Sequence, residues 1–249
     1  MIIDIHAHVG VCRVFDEANT EADVLGAMNK HGVDISIVQP LFGTIDIETV
    51  MADHDRVYRM TQANPGRIYG MAGMNPHMKV SDYKRENRRC MKELGFVGIK
   101  LHPGAHACSP DSRDGIMAIE TAAELDVPVM VHTGAGIPAA LPANVIGVAK
   151  KFPEVRFVLA HCGMIIGSGE ALLAAQECPN VYLETSWCVP HHIEGFIAAL
   201  GAERIMFAAD EFLNVGAEVA KYNDLRITEE QRAQCLYKTA ASVYRLPVL

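Results

Sequence analysis

The chain has 249 residues, 50% of them hydrophobic and 21% charged, and a formal charge of −8. That length supports a sizeable core, in one domain or two, and the acidic balance without a long basic run speaks against a nucleic-acid or anionic-membrane surface. No apolar stretch is long and uninterrupted enough to span a bilayer, and an apolar start followed by polar "DEANTEAD" does not read as a signal peptide.

The first strand-like run, Ile2–His6, leads into "IDIHAHVG". In an extended strand His6 and His8 share one face, while Ile3, Ile5 and Ala7 share the other. Two imidazoles on one face could grip a metal ion, although a lone His-x-His is more often just a pair of core or surface histidines. Helical spacing follows over Thr20–His31, then a strand over Asp34–Gln39, a helix over Ile47–Ala63 and a strand over Ile68–Met74. The alternation continues with helix Asp82–Leu94, strand Val97–Leu101, helix Arg113–Leu125, strand Val129–His132 and helix Pro142–Phe152. It closes with strand Arg156–His161, helix Gly169–Glu177, strand Val181–Thr185, helix Pro190–Leu200, strand Ile205–Ala209 and helices Leu213–Tyr222 and Glu229–Tyr244.

Strands that are apolar almost throughout read as buried on both faces, as in a parallel sheet covered by helices. Eight such units in about 250 residues match a single α/β domain over residues 1–249, a (β/α)8 barrel. A doubly wound open sheet is the main rival, but the first turn, "HAHVGVCR", lacks the Gly-rich phosphate signature of that fold. The seven cysteines (Cys12, Cys90, Cys108, Cys162, Cys178, Cys188 and Cys235) include no C-x-x-C pair and suit reduced thiols in a cytoplasm.

Chemistry in such barrels gathers at the C-terminal strand ends. There the sequence places His6 and His8, Lys100 and His102 in "GIKLHPG", His132 in "VMVHTG", His161 in "VLAHCG" and Asp210 in "MFAADE". Any one of these alone would read as a satisfied core residue. Their recurrence at one structural level points to a site.

His-x-His on the first strand, one His on the fifth and one on the sixth, and Asp on the eighth resemble the amidohydrolase superfamily. "IDIHAHVG", "GIKLHPG", "VHTG", "LAHCGM", "NVYLETS", "RIMFAAD" and the closing "ITEEQRAQCLYKTAASVYRL" more closely resemble the family-2 amidohydrolases, which include decarboxylases related to aminocarboxymuconate semialdehyde decarboxylase. The chain departs from the family pattern at Ala209-Asp210-Glu211, where Ser/Thr-Asp is usual, and at Ser242, where Asn is usual.

Physical roles and the resemblance together assign His6, His8, His132 and Asp210 as metal ligands. The N/O set suits one divalent ion, zinc first, with manganese, iron or cobalt as alternatives. Asp210 is expected to relay protons beside a metal-activated water, and His161 to act as a catalytic partner outside the ligand set. Lys100 is expected to bind a substrate carboxylate, although a carboxylated lysine bridging two metals is known in the superfamily. His102 and Arg13 are further substrate-binding candidates, though a lone loop arginine is usually solvated. Asp4 reads as a buried structural acid, Glu184 as support behind the site, and His106 as exposed.

The leading expectation is a metal-dependent hydrolase of a small carboxylate-bearing amide, ester or lactone. A non-oxidative decarboxylase on the same site is the alternative, and a barrel that only binds a ligand is a third reading. The expected partner is a small-molecule substrate, not nucleic acid or membrane, with a homodimer left open.

Overall fold

The computed structural model describes residues 1–12, 16–41, 46–134 and 136–248. Its strands are β1 (Ile3–Cys12), β2 (Glu17–Asn19), β3 (Ile35–Pro40), β4 (Ile68–Gly70), β5 (Ala72–Gly73), β6 (Ile99–Leu101), β7 (Val129–His132), β8 (Phe157–Ala160), β9 (Val181–Glu184) and β10 (Ile205–Met206). They form a four-stranded sheet in the order β2-β1-β3-β4 and a six-stranded sheet in the order β10-β9-β8-β7-β6-β5. Among the described residues all pairings are parallel except that of β1 with β2, where Gly10 faces Asn19. The result is a mixed α/β, barrel-like fold in which helices alternate with strands.

The two sheets meet at both ends. Between β4 and β5, Met71 N donates to Val38 O at 2.9 Å while Ala72 N donates to Gly98 O at 3.0 Å, so the chain passes from one sheet to the other within a residue. At the far side, Ala7 and Asp210 form an isolated parallel bridge, and Asp210 N donates to His6 O at 2.8 Å.

Helix boundaries follow local chemistry. In α1 (Glu21–His31), Thr20 and Asp23 form a capping box, and Gly32 ends the helix in the left-handed conformation at φ +72°. Asp46 caps α2 (Ile47–Ala63) through Thr49 N at 2.8 Å. On the sheet, Ile99, Leu101, Val129, Val131, Phe157, Leu159, Val181 and Leu183 pack in one buried cluster with helix residues such as Ala118, Ala122 and Ala174. Their strand neighbours Met130 and Val158 belong to a different cluster, with Ile3, Ile5 and Met206. A period of two therefore splits each strand between a helix-facing layer and an inner one.

Several elements depart from the sequence reading. The first strand runs on to Cys12 because the β2 hairpin supplies partners to its distal end. The last shrinks to Ile205–Met206, because Phe207 N turns to Cys235 O at 3.0 Å and Ala209 N to the Asp4 carboxylate at 3.0 Å. The closing helix contains a π-helical segment, Gln234–Lys238, between Glu229–Ala233 and Thr239–Tyr244. Among the described residues, no helix is long and apolar enough to cross a membrane. All seven cysteines are free and buried.

Candidate active site

The strand ends converge as their spacing requires. His6 Nε2 and His8 Nε2 lie 3.0 Å apart, and Asp210 Oδ1 is 3.1 Å from the first and 3.2 Å from the second. Their protonation follows from what stands behind each ring. His6 Nδ1 faces Glu184 Oε2 at 3.1 Å and His8 Nδ1 points at Pro40 O at 3.5 Å. Carboxylate and carbonyl only accept, so both rings carry their proton on Nδ1 and turn the Nε2 lone pair inward.

Three acceptors thus crowd one point, an arrangement that repels itself unless a cation stands among them. Ligand atoms about 2.0–2.1 Å from a tetrahedral centre lie roughly 3.3 Å apart, close to the edges of this triangle. One cation is already near: Lys100 Nζ, fully buried, sits 2.6 Å from His6 Nε2. Burial brings its pKa down to about 8. The donor set and its spacing fit a divalent metal.

His132 stands beside this triangle. Its Nδ1 faces His161 Nε2 at 3.1 Å and its ring stacks on His102 with centroids 4.0 Å apart. Among the described residues its Nε2 is buried without a hydrogen-bond partner, a cost that a ligand would remove. Burial first, then the charge of His161, holds its pKa well below the ordinary imidazole value.

His161 bonds Ser186 Oγ through Nδ1 at 2.7 Å and approaches Asp210 Oδ2 to 4.0 Å. Burial lowers its pKa also. Asp210 goes the other way. Burial opposes its charge, yet His6 and His161 outweigh that and keep it well below the usual carboxylate range.

Beneath the triangle, Glu184 is fully buried and accepts from His6 Nδ1, from His161 N at 3.1 Å and from Ser186 N. Asp4 lies deeper, accepting from His6 N at 3.1 Å and Ala209 N at 3.0 Å, and burial raises its pKa to about 8. Both acids occupy the supporting positions that the sequence suggests for them. Close backbone approach holds the next layer: a Cβ on Gly134, at φ +105°, would stand 2.6 Å from the Gly163 carbonyl carbon, so the chain after His132 can touch the chain after His161 only because residue 134 lacks a side chain.

His102 is buried and caps the short helix Pro103–His106, its Nδ1 accepting from Ala105 N at 3.1 Å. His106 corrects an expectation. It is buried, not exposed, because that short helix folds it back to accept from His102 N at 3.2 Å. Burial lowers its pKa to about 3. Arg13 lies outside the described residues. Sequence reasoning passed over two participants. Gln39, whose Nε2 lies 3.3 Å from His8 Nε2, ends a strand as the other site residues do and could have been found by that rule. Trp187, which donates from Nε1 to Asp210 Oδ2 at 2.8 Å, carries no such signal.

Set beside known proteins, this geometry has a clear kinship. The amidohydrolase family model, that of the family-2 amidohydrolases, matches residues 3–246. The chain belongs to that family. It is thus a metal-dependent enzyme of the amidohydrolase superfamily. Among curated proteins it is similar to a 2-keto-4-carboxy-3-hexenedioate hydratase from Sphingobium sp., 27% identical over 57% of this chain and 51% of that protein. This family-2 amidohydrolase therefore aligns with about half the length of the hydratase. It is 23% identical to a gamma-resorcylate decarboxylase from Polaromonas sp., over 88% of this chain and 85% of that one. Its fold matches a dihydroxybenzoic acid decarboxylase from Polaromonas sp., solved with manganese and 2-nitroresorcinol. That match has a TM-score of 0.80 at 19% identity and covers 100% of this chain and 98% of the other.

Proposed function

We propose that this amidohydrolase is a lyase that removes carbon dioxide from a small carboxylate with an unsaturated or aromatic, oxygen-substituted skeleton. The observation that carries the reading is the acceptor triangle of His6, His8 and Asp210 in a chain similar to a decarboxylase over most of its length. The relatives favour this reading over the amide, ester or lactone hydrolysis that leads the sequence expectations. A hydratase reading on the same site has its own support in the 27% identical relative.

His6, His8, Asp210 and the unpartnered Nε2 of His132 are assigned to hold the ion. Manganese, named with the similar decarboxylase structure, suits the N/O set as well as zinc, iron or cobalt. Such an ion supplies Lewis acidity to substrate oxygens. Asp210, kept ionised by its neighbours, takes the proton of a substrate hydroxyl and returns it to the carbon from which carbon dioxide departs. His161, neutral and held by Ser186, faces the developing charge on substrate oxygen. Lys100 and His102 are assigned to the substrate carboxylate, as is Arg13, and the buried ammonium of Lys100 is the strongest of these partners.

The parallel bridge at Ala7 and Asp210 and the handover at Met71 support reading both sheets as arcs of one closed (β/α)8 barrel forming a single domain. Seven unpaired thiols support a reducing, cytoplasmic location. The decisive test incubates manganese-loaded protein with hydroxybenzoates, unsaturated keto-dicarboxylates, amides and lactones. Carbon dioxide, loss of the double bond and proton release are followed separately. Carbon dioxide from a hydroxybenzoate or related acid is expected. Proton release from a lactone, or ammonia or amine release from an amide, without carbon dioxide would return the hydrolase reading.

A further inference from the structure

Trp187 is the only tryptophan of the chain, and 43% of its surface is exposed, yet its one polar group is committed. Its indole Nε1 donates to Asp210 Oδ2 at 2.8 Å, while Oδ1 of the same carboxylate faces His6 and His8. Both residues hold left-handed backbone conformations, Trp187 at φ +61° and Asp210 at φ +69°. A bulky residue adopts that region only where its surroundings hold it there, and such outliers concentrate at functional sites.

The holding contacts are present. Trp187 N donates to Glu218 Oε1 at 2.9 Å, and Asn214 Nδ2 reaches both that oxygen at 2.9 Å and Ala209 O at 3.0 Å. Asn214 thereby ties the backbone next to Asp210 to the carboxylate that fixes Trp187. A cleft of about 450 Å³, lined by Trp187, Phe212 and Leu213 among others, opens beside the indole.

We propose that Trp187 is a positioning residue for the metal cluster: its indole N–H holds Asp210 Oδ2 so that Oδ1 stays directed at His6 Nε2 and His8 Nε2. Without it, the carboxylate is free to swing Oδ2 toward His161 Nε2, 4.0 Å away. A hydrogen bond to a charged group of this kind is worth roughly tenfold to a hundredfold in an equilibrium.

Zinc is the probe, because its closed shell does not quench fluorescence by paramagnetism. Titrating zinc into metal-free wild-type protein should change the emission of the single tryptophan, saturating with the same midpoint as the heat of binding. Trp187→Phe, which keeps a ring but loses the donor, should bind zinc at least tenfold more weakly while its metal-free melting temperature stays near wild type. Leu213→Ala, which alters the same cleft but removes no hydrogen-bond donor, should bind zinc as wild type does. Unchanged emission on zinc binding, or wild-type affinity in Trp187→Phe, would overturn the role. The wild-type titration decides the matter even if Trp187→Phe fails to fold. Failure of the wild type to bind zinc would overturn the cluster itself and this role with it, whereas neither measurement depends on whether the reaction releases carbon dioxide.

Discussion

Glu184 Oε2 lies 3.1 Å from His6 Nδ1, and this one contact decides which nitrogen of His6 faces the site. An amide in place of the carboxylate offers a donor as readily as an acceptor and weakens the hold on the tautomer. Glu184→Gln is therefore expected to lower metal affinity by about 10- to 100-fold, the usual cost of losing an outer partner of a metal-bound histidine. Calorimetric metal titration checks it, with circular dichroism to show that the fold persists.

Purified protein is expected to hold about one divalent ion per chain, since the ligand atoms of His6, His8 and Asp210 make one site. Elemental analysis after chelator-free purification measures this. His6→Ala should lower the content sharply. Lys100→Met should keep the ion and raise KM more than it lowers kcat, because the missing ammonium binds substrate rather than metal. Loss of metal in Lys100→Met, or a stoichiometry near two, would place Lys100 in the metal site.

Asp210→Asn keeps the shape of the side chain but not its basicity, and turnover should fall by about 10²–10⁴-fold even in molecules that retain metal. His161→Asn should also lose rate while its metal content stays near wild type. Activity and metal must be measured on the same preparations.

Acid stability depends on a group far from the chemistry. Glu86 Oε1 bonds His54 Nδ1 at 2.8 Å, and both Glu86 oxygens meet Arg89 at 2.8 Å. Burial opposes the charge of Glu86, but His54 and Arg89 prevail and bring its pKa from 4.5 to about 2. A depressed carboxylate stabilises the fold above its unfolded pKa, and that contribution disappears as pH falls through the folded value. The window runs from about pH 5 to pH 2, and the stake is on the order of 3 kcal/mol. Urea unfolding across that range should show a shallower pH dependence in Glu86→Gln by about that amount. His54 Nε2 meanwhile accepts from Gly73 N at 3.2 Å, so this buried His–Glu–Cys90 cluster has its imidazole lone pair already engaged and is structural.

Much of the site was legible because it obeys a simple parity. Residues ending consecutive buried strands must meet if the strands are parallel and adjacent, which brought His6, His8, Lys100, His132, His161 and Asp210 to one level from sequence alone. Burial of His106 was not legible, since it depends on a four-residue helix that turns the chain back under His102. Nor was Trp187, whose place is set by a left-handed backbone and by Glu218, a partner 31 positions away. Boundaries of the first and last strands were missed for a related reason: their hydrogen bonds go to a hairpin and to the Asp4 side chain, and local periodicity says nothing about either.

The Asp4–Ala209 bond spans 205 positions of chain. The His6–His8 pair and Asp210 thus come from strands far apart in the chain, and a fragment that lacks Asp210 cannot form their triangle. During synthesis His6 and His8 cannot meet Asp210 until the chain has been made past that residue. Contacts this distant are entropically late, so final closure is expected to be the slow phase of refolding. A divalent ion in the refolding buffer would then act on the last step rather than the first. It would leave the rate of early collapse unchanged and trap the closed state by binding only there.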